Sequence, residues 1–369
     1  MIKFLDLKKI NLHYENAFQN KLKNVLDSGW YILGNEVKLF EENFAAYCDS
    51  KYCIGVGNGY DALTLIFKGY IQLGKMQKGD EVIVPANTYI ATILSVLQAD
   101  LVPVLIEPKL ETYTINPNLI QDKITSKTKA ILAVNLYGQL AEIDKINGIA
   151  IQNNLIVVED AAQSHGAFLS ENRKSTNTQA FSFYPGKNLG ALGDGGAIIT
   201  NDEELSNVIF SLRNYGSEVK YLNNYIGINS RLDELQAAFL NVKLPNLDVD
   251  NENRRTIAKR YLSGIKNDKI TLPFWDFSDN HVFHLFVIRI EKRKELQDYL
   301  KENGIETMIH YPVPPHKQKA FSPETSGWNH LSFPITEKIH NEVLSLPISP
   351  IMTIDEVDYI IKKLNLWTS

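Results

Sequence analysis

Between about residue 50 and residue 200 the sequence repeats one figure: a short apolar run, a turn, then another apolar run, with helix-patterned stretches set between the early ones. The runs read KYCIGVG, DEVIVPA, VPVLIEP, KAILAVNLYG, LIVVED, AFSFY and GAIIT, and YDALTLIFKGYIQLG and TYIATILSVLQ carry helical spacing. A strand that is apolar on both faces must be covered on both sides. Such runs alternating with helices specify an α/β fold built on a mainly parallel, seven-stranded sheet flanked by helices.

At 369 residues the chain exceeds the size at which a single hydrophobic core stops growing. The texture changes near residue 250, where strand-like VFHLFVIRI is followed by helix-like KELQDYLKENG and strand-like IETMIHY. The expectation is a large domain over residues 1–249, which includes an N-terminal helix, and a smaller α+β domain over 250–369. Residues 311–335, rich in Pro, His and Ser, read as a long loop.

A net charge of −5 and a pI near 6.0 supply no clustered basic face of the kind that grips a nucleic-acid backbone. No apolar run approaches the ~20 residues needed to span a bilayer. The opening MIKFLDLKKINLHYENAF lacks the apolar block of a signal peptide. These features predict a cytoplasmic protein without nucleic-acid or membrane partners. Cys48 and Cys53 have no His or further Cys close in sequence, so they read as small buried apolar residues, and no metal site is expected.

Ligands of open α/β sheets bind at the carboxyl ends of the strands. One such end, in FSFYPGKNLGALGDGGAIIT, places a single amine, Lys187, in a turn shaped by aromatic, proline and glycine residues. Another, LIVVED, ends in Asp160 and runs into AAQSHG. Alone, Asp160 reads as a helix cap and Lys187 as a solvated amine. Together they supply the two groups that pyridoxal 5′-phosphate (PLP) chemistry needs: an amine for the Schiff base and an acid that keeps the pyridine nitrogen protonated. GVGNGYDAL, between a strand and a helix, brings Gly57, Asn58, Gly59 and Tyr60 to a helix start whose amides can face a phosphate. Its G-x-G-x-G spacing, with Asp80 and Glu81 preceding a strand, does not match a dinucleotide fingerprint, and Asn188 in PGKNLG stands where a Walker loop has Ser or Thr. Ser182 is either a phosphate ligand or a strand residue of the alternate face. Tyr89 either stacks on the ring or belongs to the core. Gln163 and His165 either reach the cofactor's phenolic oxygen or cap the turn.

The stretches FSFYPGKNLGALGDGGAI, VEDAAQSHGA, GVGNGYDAL, GINSRLDELQAA and HYPVPPHKQKAF together resemble the DegT/StrS nucleotide-sugar aminotransferases over nearly the whole chain. The resemblance implies the aspartate-aminotransferase fold (PLP fold type I) and a homodimer with composite active sites. It implies that Lys187 bonds the cofactor and shuttles the proton, that Asp160 pairs with the pyridinium nitrogen, and that Gln163 contacts the ring hydroxyl. Ser182 and the amides of Gly59 and Tyr60 hold the phosphate, joined by Asn229 from the second subunit, and Tyr89 covers the ring face. Relatives that dehydrate carry histidine in place of the lysine, so Lys187 points to transamination. Gly186, where Thr or Ser commonly precedes the lysine, and Glu107-Pro108, where an Asp usually stands, are similar to the enzymes that aminate C3 of dTDP-3-keto-6-deoxyhexoses. In that subgroup Tyr184, His310 and Tyr311 match sugar-binding positions, with Lys220 reaching in from the partner chain. L-glutamate is the implied donor and surface polysaccharide or glycoconjugate synthesis the implied purpose. Amination at C4, or a PLP-binding regulator without turnover, are the alternatives.

Overall fold

Each of the seven apolar runs becomes a strand of one sheet: β1 (Tyr52–Val56), β2 (Glu81–Pro85), β3 (Val102–Ile106), β4 (Thr128–Val134), β5 (Ile156–Asp160), β6 (Thr178–Ser182) and β7 (Gly196–Thr200). The computed structural model describes residues 1–168, 176–219, 221–321 and 328–368. The strand order is β1-β7-β6-β5-β4-β2-β3. Every neighbouring pair is parallel except the two made by β7, which is antiparallel to both β1 and β6. Because β7 reverses direction twice over, β1 runs the same way as β6.

The helices are α1 (Leu7–Leu12), α2 (Glu15–Ser28), α3 (Asn35–Tyr47), α4 (Gly59–Gln72), α5 (Ile90–Gln98), α6 (Ile143–Asn153), α7 (Glu203–Leu212), α8 (Glu234–Lys243), α9 (Leu247–Gly264), α10 (Arg293–Glu302), α11 (Pro334–Glu342) and α12 (Ile354–Leu366). Side-chain alternation along the strands divides the sheet into two buried faces. Val82, Val84, Leu132, Val158 and Ile198 pack with α4, α5 and α7. On the other face Ile83, Ile131 and Val157 pack with α6, while Phe181, Ala197 and Ile199 pack with α3 and α8. Cys48 and Cys53 are buried in this second layer and form no disulfide with each other.

The boundary expected at 249/250 falls inside the continuous helix α9. Beyond it a second core gathers Tyr261, Phe283, Phe286, Leu296, Leu344 and Ile360 around a two-stranded ribbon, β10 (Phe286–Arg289) and β11 (Val343–Leu346), after the exposed hairpin β8 (Ser217–Val219) and β9 (Leu222–Asn223). IETMIHY is not a strand. It makes only two isolated bridges, Ile305 with Ile2 and Met308 with Ser345, because its side chains from Met308 to Tyr311 are turned into a cavity wall. Short 3-10 turns shape the described part of the 311–335 loop. Among the described residues no helix is long and apolar enough to cross a membrane.

Candidate active site

Strands that share a direction open their carboxyl ends on one edge of the sheet, and a cavity of about 910 Å³ lies there. Its wall takes Asn58–Tyr60 after β1, Thr88 and Tyr89 after β2, Asn135 after β4, Asp160 at the end of β5 and Ser182 at the end of β6. Residues from the C-terminal part of the chain, among them His284, Glu306, Met308, His310 and Tyr311, line the rest of the wall.

Lys187 projects from the connection between β6 and β7. That turn is drawn tight by Lys187 N–H donating to the Tyr184 carbonyl (2.8 Å) and Ala191 N–H donating to the Phe183 carbonyl (2.8 Å). Gly190 is obligatory there, since a Cβ would lie 2.3 Å from the Pro185 carbonyl oxygen. Burial lowers the Lys187 amine to about 8, against the opposing pull of the Asp160 carboxylate. An amine so placed sheds its proton near neutral pH far more readily than an ordinary lysine does.

Asp160 is buried at the cavity floor. Its Oδ2 accepts from Thr92 Oγ1 (2.7 Å) and its Oδ1 from the Ala162 amide (3.2 Å). Burial raises its pKa, and these two hydrogen bonds and Lys187 work against the rise. A buried carboxylate fixed by two donors and facing a cavity fits a cationic ring nitrogen.

The opposite end of the cavity fits a phosphate. Asn58 caps α4 by accepting from the Asp61 amide (2.8 Å), and the Ala62 amide bonds the Asn58 carbonyl (3.1 Å). Among the described residues this leaves the first-turn amides of Gly59 and Tyr60 for a ligand. Gly59 brings the helix start hard against β6, for a Cβ there would stand 2.7 Å from Ser182 Cβ. Ser182, Gly59 and Tyr60 thus lie together.

Gln163 and Tyr311 meet at the remaining wall: the Gln163 Oε1 accepts from the Tyr137 amide (2.6 Å), and its Nε2 donates to Tyr311 Oη (3.2 Å). Tyr89 stands half-exposed with its ring centroid 5.2 Å from that of Tyr311. His310, whose Nδ1 lies 2.9 Å from Ser345 Oγ, and exposed Tyr184 complete the mouth. Burial lowers His310 to about 4, with Lys187 adding to the effect, so it is neutral at physiological pH.

One residue weighed for this cavity does not line it, and the two expected from a partner chain are not tested by a single chain. His165 packs on Phe181 and Phe183 with neither ring nitrogen hydrogen-bonded among the described residues, and burial lowers it to about 3. It belongs to the sheet-helix layer rather than to the cofactor. Asn229 is exposed in a bridge with Asn214, away from the cavity of its own chain. Lys220 lies outside the described residues. Conversely Thr92, His284, Glu306 and the N-terminal Phe4 and Leu5 sit at the site without having been singled out. Only the spacing of Thr88 and Thr92 across the start of α5, where their hydroxyls lie 2.7 Å apart, could have signalled that they meet.

The sequence model of the DegT/DnrJ/EryC1/StrS aminotransferase family matches residues 13–365. The chain is 55% identical over 367 residues to the dTDP-3-amino-3,6-dideoxy-alpha-D-galactopyranose transaminase of Aneurinibacillus thermoaerophilus, covering 99% of each chain. Its fold superposes on S. venezuelae DesV, solved in complex with a ketimine intermediate, with a TM-score of 0.94 and 43% identity over 99% of this chain and 98% of that one. It also superposes on ntda from Bacillus subtilis with bound cofactor pmp, with a TM-score of 0.90 and 33% identity over 98% and 83% of the two chains.

Proposed function

Because the chain belongs to the DegT/DnrJ/EryC1/StrS aminotransferase family, a PLP-dependent aminotransferase of nucleotide-linked sugars, we propose that it moves an amino group from L-glutamate to C3 of a dTDP-3-keto-6-deoxyhexose. The product is a dTDP-3-amino-3,6-dideoxyhexose, made in the cytoplasm for a surface glycoconjugate such as lipopolysaccharide. The observation that carries the reading is one cavity holding a lysine amine lowered to about 8 together with a buried carboxylate. The similarity to a 3-amino-sugar transaminase supports C3 over C4.

When bound, PLP supplies an aldehyde that takes up the amino group and a ring that accepts electron density. The chain's own residues do the rest. Lys187 would hold the cofactor through its amine and, with that amine free, would move a proton at the donor's α-carbon, beside which the turn positions it. Asp160 keeps the ring nitrogen protonated, and Thr92 aims its carboxylate. Ser182 and the amides of Gly59 and Tyr60 hold the phosphate. Gln163 has a second amide hydrogen left for the ring hydroxyl, and Tyr89 covers the ring face. Tyr184, His310 and Tyr311 receive the sugar.

The acting unit in this reading is a homodimer. Among the described residues Lys187 is the sole lysine or arginine on the cavity wall, although both a dicarboxylate donor and a nucleotide diphosphate are anionic. Asn229 and Lys220 of the partner subunit would supply the missing polar contacts. Ile226 (98% exposed), Tyr221 and Leu222, which flank them in sequence, present the apolar surface that such a contact covers.

Visible spectroscopy tests the assignment. The PLP-loaded protein should be yellow and bleach on addition of L-glutamate, and product analysis after the keto-sugar is added should find the 3-amino sugar. Lys187→Ala should still take up PLP while losing turnover by more than about 10³-fold. Turnover retained by that variant would remove the lysine, and the reading with it.

A further inference from the structure

The N-terminal segment from Ile2 to Leu7 lies outside the residues matched by the family model, yet it is built into the cavity. Its backbone is fixed at both ends. The Ile2 amide donates to the Gly304 carbonyl (2.7 Å), and the Glu306 amide donates to the Ile2 carbonyl (3.0 Å). At the other end Asp6 caps α1 by accepting from the Lys9 amide (3.0 Å). Between these anchors the Phe4 amide donates to Glu306 Oε2 (3.1 Å).

So held, the segment bridges the two sides of the site. The Phe4 ring lies with its centroid 5.6 Å from that of His310. Leu5 Cδ2 reaches within 3.6 Å of where a Cβ on Gly186 would stand, immediately before Lys187. Phe4 and Leu5 continue an apolar surface formed by Leu285, Met308 and Ile309. The acid on this wall, Glu306, already spends one carboxylate oxygen on the Phe4 amide.

We propose that Phe4 and Leu5 form a specificity-determining wall of the sugar subsite, one that accepts a hexose with a methyl group at C5 and disfavours one with a hydroxymethyl group. This rests on the keto-sugar reading above. The hexose, rather than the nucleotide, faces this wall because its reacting carbon must lie within proton-transfer reach of Lys187, the residue after Gly186. A methyl group buries there without loss. A hydroxyl placed against the same carbons gives up its hydrogen bonds to water and finds few in return.

The test compares kcat/KM for a dTDP-3-keto-6-deoxyhexose with that for its 6-hydroxy counterpart, in the parent protein and in Phe4→Ala and Leu5→Asn. An apolar pocket discriminates against an added hydroxyl by about 10²-fold. The parent should show that preference, and each variant should reduce it to about tenfold or less. The ratio is read on one preparation, so partial misfolding or incomplete cofactor loading does not move it. Leu5→Asn, which leaves the Phe4 packing in place, keeps the test standing if Phe4→Ala folds poorly. A ratio unchanged in Leu5→Asn, or equal turnover of both sugars by the parent, overturns the inference while leaving the aminotransferase reading intact. A parent that bleaches with glutamate but turns over neither sugar overturns the keto-sugar reading, and this inference with it.

Discussion

The amine of Lys187 is aimed by side chains that never touch it. Asn188, the next residue, donates from Nδ2 to Asn251 Oδ1 (2.8 Å) and to the Val282 carbonyl (3.1 Å). Asn251, buried on α9, in turn donates to the His165 carbonyl (2.8 Å), which lies two residues beyond Gln163. Lys243 Nζ donates to the Gly190 carbonyl (2.6 Å) and holds the far end of the turn. Asn251 thus braces the lysine turn against the turn that carries Gln163. Asn251→Ala should slow the glutamate half-reaction by about 10²-fold with little change in the donor's KM, as misplacement of a reacting group does. Water admitted by the loosened turn would relieve the burial that holds the amine down. The pH midpoint for PLP uptake by the cofactor-free variant should therefore rise from near 8 toward the ordinary lysine value. Stopped-flow absorbance reads both quantities, and an unchanged rate and midpoint would reduce Asn251 to a packing role. Lys187 and Asp160 were legible in the sequence because Asp160 ends one apolar run and Lys187 sits in the shaped turn that follows another. Asn251 was not, because a polar residue in a helix announces nothing until the fold shows that it is buried.

At the scale of elements, continuous apolar runs identified all seven sheet strands, since burial on both faces leaves no other use for them. The same cue misread IETMIHY, whose apolar residues face a cavity instead of a ladder, and it passed over β11. Glu107, noted in the sequence only as part of an unusual Glu-Pro pair, shows how two distant elements are joined. Placed just after β3, its carboxylate accepts from the Ile335 amide (2.8 Å), the Thr336 amide (3.0 Å) and the Thr336 hydroxyl (2.7 Å) at the start of α11. A carboxylate at a helix N-terminus satisfies otherwise unpaired amides and complements the helix dipole. Glu107→Gln keeps the shape but replaces one acceptor with a donor that faces those amides. It should cost about 1–3 kcal/mol, read as a lower urea midpoint, with Glu107→Ala at least as severe. An unshifted midpoint would show that α11 is held by packing alone.

Across the whole molecule, histidine burial sets the response to acid. His165 and His281 are lowered to about 3, and His310 and His340 to about 4, in each case chiefly by burial. Each binds a proton near pH 6.5 once unfolded but resists doing so when folded, so the unfolded state gains protons first as the pH falls. Stability is therefore undiminished above about pH 7 and declines as the pH drops below 6.5, by roughly 1 kcal/mol per histidine at pH 5.5. Urea midpoints at pH 7.5 and 5.5 should differ accordingly, and equal midpoints would contradict the burial of these rings. The strand order was beyond the sequence, because apolar runs say that a strand is buried and not which strand lies beside it.

That order has a consequence for descent. Because β7 returns directly beside β6, with Ser182 opposite Gly196, both ends of the connection that carries Lys187 are pinned in adjacent registers. A residue gained or lost between Phe183 and Lys187 would break the turn's own hydrogen bonds and carry the amine away from Asp160. Over generations the amino acid at position 187 can be exchanged for another, and the chemistry with it, but the position itself has nowhere to migrate.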